Sequence, residues 1–376
     1  MNAKERFHSI DWLRGLLILL MVFDHTAMYC LNGWYFRETA LTGKEVPELP
    51  EMYIIRGLSH FGAPAFVMIA GLCLALSAAR RAGAGENSSQ FSAGLITRGL
   101  LLVAVDRLIL SQFILQMPMF DIVTTIGLCM VLMSLLQRVP GYRLLAGVAL
   151  LWMFMSELIV PHLAGDRGVG RVGLVAALFT GGKVTLFGMA NFFNYPVLMW
   201  LPYMILGWCF GRYTVEINPW RIASRNLAAY VAAACLNLFC VIRLFNGFGN
   251  MGLLQKEGLL SFFFLSKYPP SLSFSLYAMA ITGILMAVLI KHEQNCAEAH
   301  ERSWTPLNLL GIVGKTPLFA YLLHFGLLAL LGKVFELKDS SMMATVLIVT
   351  GIFVGLMPFC ALYFSLRRKW SVLRFF

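Results

Sequence analysis

Long apolar runs separated by short polar stretches dominate the chain from end to end. Ten runs stand out, at about 10–31, 53–79, 94–115, 121–138, 142–161, 194–212, 224–243, 270–291, 307–333 and 341–366. As helices they are long enough to cross roughly 30 Å of hydrocarbon. A membrane β-barrel would show alternating segments of about ten residues, whereas these runs are continuous. The pattern predicts an all-α polytopic membrane protein, a bundle of about ten transmembrane helices. Residues 170–190 fit less well, being apolar but short and broken by Gly181-Gly182. A re-entrant or interfacial helix is expected there. A full crossing would move the C-terminus to the other side.

Composition agrees with this class. Of 376 residues, 59% are hydrophobic and 13% charged, and the mean hydropathy is +0.74. A soluble domain is typically about 25% charged. The net charge of +11 is scattered over helix ends and does not form a nucleic-acid patch. With the N-terminus in the cytoplasm, the inner segments collect Lys4, Arg6, Arg80, Arg81, Arg98, Arg138, Arg143, Arg212, Arg221, Arg225, Lys291, Arg302, Arg367, Arg368, Lys369 and Arg374. The outer loops mix fewer basic groups with acids. The positive-inside rule then places both termini in the cytoplasm. The expected location is the cytoplasmic (inner) membrane of a bacterium, with the lipid bilayer as partner and a homodimer left open. The start, MNAKERFHSIDWLRG, has a basic n-region, but no small-residue cleavage site follows the apolar stretch, so the first span reads as uncleaved. The eight cysteines form no C-x-x-C pair and read as packing residues. Residues 1–376 read as one domain.

The first span carries the candidate chemistry. Residues 13–30 read LRGLLILLMVFDHTAMYC. A charge near the bilayer centre costs about 2.5–3.5 kcal/mol even on a lenient scale, and such residues mark functional sites. Arg14 and His25 are eleven positions apart, which is three helical turns plus about 20°. They share one face, roughly 16 Å apart along the axis. Asp11, three residues before Arg14, joins that stripe. Asp24 adjoins His25 but points elsewhere, and it is expected to pair with Arg107 or Arg243. A buried polar stripe that only fixes helix packing is the plainer reading of any one of these groups.

The same residues carry a resemblance. The stretch SIDWLRGLLILLMVFDH resembles the opening helix of the transmembrane acyltransferases. Its nearest likeness is to the branch of the heparan-α-glucosaminide N-acetyltransferase catalytic domain and its bacterial relatives. LSHFGAPAFVMIAGLCLALS (58–77), SKYPPSLSF (266–274) and GKTPLFAYLLHF (314–325) resemble further motifs of that branch, in order. The resemblance is thin between about 140 and 195. It implies transfer of an acetyl group from cytoplasmic acetyl-CoA to an acceptor sugar or glycan across the membrane. It further implies a catalytic role for His25 and a cofactor-side role for Arg14. The lysosomal member has Asn at the place of His25 and its catalytic His some residues later. No His lies between Thr26 and Ser59 here, so His60 is the alternative base.

The chemistry is compatible. A thioester is already activated, and transfer needs a group that deprotonates the acceptor, commonly His. CoA phosphates call for Arg or Lys at the inner mouth. The expected catalytic residues are therefore His25, His60 and Asp24, with Arg14 and Asp11 at the acetyl-CoA end. Lys267, Tyr268 and His324 are candidates for the acceptor. Lys267 and Tyr268 enter the eighth span beside Pro269 and Pro270, which bar helix and predict an extended approach. His324 reads equally well as a hydrogen-bonded packing residue. Asp106, Arg107, Glu157 and Arg243 read as structural pairing groups within spans. His292-x3-Cys296-x3-His300 has helical spacing but no fourth ligand, and it falls in a predicted loop, so no metal is expected. The rival reading is a proton-coupled secondary transporter using the same Arg, Asp and His groups. No internal repeat supports it.

Overall fold

The computed structural model describes residues 7–31, 56–114, 118–164, 173–186, 188–217, 220–251, 262–298, 305–335, 337–338 and 340–370. Helices occupy the ten predicted runs. They are α1 (His8–Cys30), α2 (Arg56–Gly83), α3 (Ser88–Val105), α4 (Ile122–Leu136), α5 (Tyr142–Ala164), α6 (Leu174–Thr180), α7 (Val197–Glu216), α8 (Trp220–Phe245), α9 (Leu272–Glu298), α10 (Pro306–Gly314), α11 (Pro317–Val334) and α12 (Met342–Lys369). Of these, α1, α2, α5, α8, α9, α11 and α12 are long and apolar enough to cross a membrane. The chain is an all-α polytopic membrane protein, with one small sheet among the described residues.

Three segments depart from expectation. The stretch around 170–190 is not one helix. The seven-residue α6 ends at Gly181, and the strands Gly182–Leu186 and Met189–Phe193 follow as an antiparallel hairpin. Residues 170–172 and 187 lie outside the described residues. Gly181 and Gly182 have φ of 71° and 111°. That left-handed backbone, open to glycine, turns the chain out of the helix. A third strand, Met119–Phe120, pairs parallel to the hairpin's second strand. The predicted ninth span is two helices, α10 and α11, interrupted at Lys315-Thr316. Pro317 disfavours helix at the residue before it and starts the next helix at its first position. The eighth run remains helical to Glu298, seven residues beyond the predicted end. Charge marked the end of the apolar surface there, not the end of the helix.

The chain divides into two compact units. The larger includes Ala63–Gly283. Within it, Gly71 of α2 lies against the Met204 carbonyl of α7, and Gly207 against the Met68 carbonyl, so the two backbones touch. Small residues allow such close crossings in lipid, where hydrophobicity gives helices no reason to associate. Its helix α8 buries Ala228, Ala232, Cys235, Phe239 and Arg243 on one face, while Tyr230, Leu238 and Leu244 lie exposed on others. A helix apolar all round is what a membrane span requires.

The other unit includes Lys4–Phe36, Val46–Gly62 and Ile284–Phe376. Here α1 packs against α10, α11 and α12. Gly15 of α1 and Gly314 of α10 sit at the crossing. A Cβ on either would lie about 2 Å from a facing carbonyl oxygen, that of Leu310 or Asp11. The N-terminus of α1 has no cap from Phe7. Glu293 of α9 supplies one, its two carboxylate oxygens each accepting a backbone N–H, from His8 and Ser9, at 3.0 Å. That satisfies two of the donors every helix start leaves open and suits the positive end of its dipole. Near its other end, Ala27, Cys30 and Leu31 form a buried cluster with Phe23, Leu337, Met342 and Ile348 around them.

Candidate active site

Because α1 is one unbroken helix, the stripe read from the sequence survives in the fold. Arg14 pairs with Asp11 at 3.7 Å, Asp11 being buried and Arg14 partly open. Eleven residues on, the His25 ring meets α11. His25 Nδ1 lies 2.8 Å from His324 Nε2, and the two ring planes are within 10° of parallel. The Phe325 ring centroid is 4.3 Å away and Tyr321 presents an edge at 6.2 Å. His324 is fully buried, and its Nδ1 lies 3.2 Å from the Ala320 carbonyl oxygen one turn earlier. The start of α11 at Pro317 puts Ala320 one turn before His324 at i, i+4, and Tyr321 before it at i, i+3. His25 is only partly buried.

Asp24 pairs with Arg56, a partner that the sequence reading did not name. Its Oδ1 accepts from the Arg56 guanidinium and, at 3.0 Å, from the Ser59 hydroxyl, both at the start of α2. Ser59 also donates to the Arg56 carbonyl. Arg56 is a residue that sequence reasoning missed. The signal was an Arg four positions before His60, inside a predicted span. His60 is buried on the same helix. Arg107 donates to the Met119 carbonyl and Asn191 Oδ1, at 2.6 and 2.9 Å, and stacks over Phe120 at 4.4 Å. Arg243 donates to the Phe262 carbonyl and Asn250 Oδ1, at 2.9 and 2.6 Å. Each Arg meets oxygens within its own unit.

The remaining ionisable groups in spans also meet backbone. Asp106 opens a π-helical continuation of α3. Its Oδ2 accepts the Asp121 and Thr124 amides and the Thr124 hydroxyl, capping α4 from outside. Glu157 accepts the amides of Met251 and Leu272 and so ties α5 to the start of α9. Lys267 and Tyr268 do not lie in an extended approach. Ser271 N–H donates to the Ser266 carbonyl at 2.9 Å, and Ser266 Oγ donates to the Pro269 carbonyl at 2.9 Å, closing a tight turn. Lys267 is buried there with Nζ 5.1 Å from the Tyr268 ring centroid. The Tyr268 and Tyr195 hydroxyls meet at 3.1 Å. His292 and Cys296 lie on α9, not in a loop, 3.6 Å apart, while His300 is outside the described residues. Among the described residues no three His, Cys, Asp or Glu side chains gather as a metal site would need.

The arrangement at the α1–α11 contact can move protons. It holds an imidazole with one nitrogen tied to a second imidazole, on a helix that carries an Arg–Asp pair three turns away. No curated protein matches the chain. Residues 7–365, nearly its whole length, match the family model described as an acyltransferase domain, and the chain belongs to that family.

Proposed function

We propose that the protein transfers an acetyl group from cytoplasmic acetyl-CoA to an amino sugar or glycan on the far side of the membrane. This is the activity of the heparan-α-glucosaminide N-acetyltransferase branch that its motifs resemble. The observation that carries the reading is the hydrogen bond between His25 and His324, on the same helix as Arg14. A thioester needs no activation, so the limiting requirement is a base for the acceptor's hydroxyl or amine. His25 serves as that base, and its partly open ring leaves room for an acceptor. Arg14, held by Asp11, faces the CoA phosphates at the other end of the stripe. Roughly 16 Å of helix between the two suits the pantetheine arm. Asp24 serves the frame, because Arg56 and Ser59 already hold its carboxylate. Lys267 and Tyr268 remain acceptor candidates on their chemistry alone, a cation and a hydroxyl suited to a sugar.

The test uses purified protein in vesicles, radiolabelled acetyl-CoA outside and glucosamine enclosed. His25→Ala should bind acetyl-CoA like the parent and lose transfer by about 10²–10⁴-fold, the usual share of an acid–base group. Arg14→Ala should instead weaken acetyl-CoA binding by about 1.5–3 kcal/mol, as for a lost hydrogen bond to a charged group. Parental transfer by His25→Ala would overturn the assignment, and a simultaneous loss in His60→Ala would move it to His60.

A further inference from the structure

We propose that His324 is a positioning residue that fixes which nitrogen of His25 carries the proton, an inference that rests on His25 being the base. The argument begins at Ala320. Its carbonyl oxygen can only accept, so the His324 nitrogen 3.2 Å away, Nδ1, carries the hydrogen. A neutral imidazole has one N–H. His324 Nε2 is then a lone pair, and His25 Nδ1, at 2.8 Å, must donate to it. The proton of neutral His25 is thereby held at Nδ1, and Nε2 becomes the basic nitrogen.

The competing arrangement has a protonated His324 donating from both nitrogens. It would place a cation on a fully buried ring whose two nitrogens meet a carbonyl and a second imidazole. Burying an unpaired charge is expensive, and Asp24, the acid beside His25 on α1, already holds Arg56. The neutral form satisfies both contacts without that cost.

The arrangement also suits both halves of the reaction. As the acceptor's heteroatom bonds to the thioester carbonyl carbon, its proton passes to His25 Nε2. The ring becomes an imidazolium but still donates from Nδ1 to His324. When the carbon–sulfur bond breaks, Nε2 returns the proton to the CoA thiolate. The products are acylated acceptor and CoA thiol, and the His25–His324 bond persists throughout. The role resembles that of the carboxylate in a catalytic triad, which orients a histidine and sets its tautomer, with a neutral imidazole in its place. Phe325 and Tyr321 hold the His25 ring so that this bond is not lost by rotation.

The experiment is nitrogen NMR of the full-length protein in lipid bilayers, with isotope-labelled histidine and a His25→Asn variant to assign the signal. The parent should show neutral His25 protonated at Nδ1. His324→Gln offers an amide oxygen in place of Nε2 and should keep both that tautomer and at least about a tenth of the transfer rate. His324→Phe should let His25 shift toward the Nε2–H form and lose about 10²-fold or more in transfer, at the low end for a disabled base. Parent His25 protonated at Nε2 would overturn the inference without any change at His324, so a variant that fails to fold does not shield it. Unchanged tautomer and transfer in His324→Phe would do the same. The two readings separate cleanly. An active His25→Ala refutes the base, while a wrong tautomer beside an inactive His25→Ala refutes only the positioning role.

Discussion

Asp24 and His25 are neighbours in sequence, and a helix turns them about 100° apart. The structure gives them separate partners, Arg56 with Ser59 for one and His324 for the other. The Asp24–Arg56 pair is mostly enclosed, with side chains 18% and 11% exposed. Breaking such a pair from one side leaves a stranded charge and costs about 3–5 kcal/mol, whereas removing both charges costs much less. Arg56→Met should therefore destabilise the protein strongly, and Asp24→Asn combined with Arg56→Met should recover most of the loss. Unfolding of the purified variants in mixed micelles measures this. Equal destabilisation in the single and double variants would mean the pair holds nothing together. The sequence pointed to Arg14 and His25 because both lie on one apolar helix with a fixed period. It could not join His25 to His324, 299 positions away, because no local periodicity links residues on different helices. Arg56 was hidden for a related reason: its meaning depends on where α2 meets α1.

At the scale of elements, the α1–α10 crossing sets the position of the stripe. Gly15 would drive a Cβ to 2.0 Å from the Leu310 carbonyl oxygen, so Gly15→Ala must push two backbones apart. Overpacking of this kind typically costs about 1–3 kcal/mol. Gly326 of α11 gives the contrast, since nothing lies within 4 Å of its would-be Cβ. Gly326→Ala should be neutral or stabilising, because alanine favours helix by up to about 1 kcal/mol over glycine. Fluorescence-monitored melting of both variants decides the point, and equal melting temperatures would remove the crossing as a constraint. Helix positions were legible because apolar runs report burial in lipid. Breaks inside such runs were less so. The interruption before Pro317 and the hairpin after Gly181 lie inside long apolar runs, where one or two polar residues do not by themselves say that the backbone leaves the helix.

The whole molecule poses a question of parity. Among the described residues seven helices meet the length and apolarity of a membrane span, and an odd number of crossings would place the termini on opposite sides. Ten crossings would return both to the same side, as the positive-inside reading of the Lys and Arg residues expects. The extra spans would be α3 with its π-helical continuation, α4 and α7. The twenty residues of α7 reach about 30 Å, enough to cross. The fifteen residues of α4 reach only about 22 Å, but α4 lies against α3 with Gly99 and Gly127 at the contact, as the second arm of a hairpin would. We therefore expect ten crossings with both termini in the cytoplasm and the loop at 32–52, which lies outside the described residues, on the far side. Single cysteines at Lys44, Glu298 and Arg374, in a background lacking native cysteines, can be exposed to an impermeant thiol reagent in sealed cells. Position 44 should react, and positions 298 and 374 should react only after lysis. Reaction at 298 but not 44 would invert the orientation and put the Arg14 end of α1 on the side without acetyl-CoA. Reaction at 44 and 374 together would leave an odd number of crossings, and the short α4 would be the first helix to strike from the count.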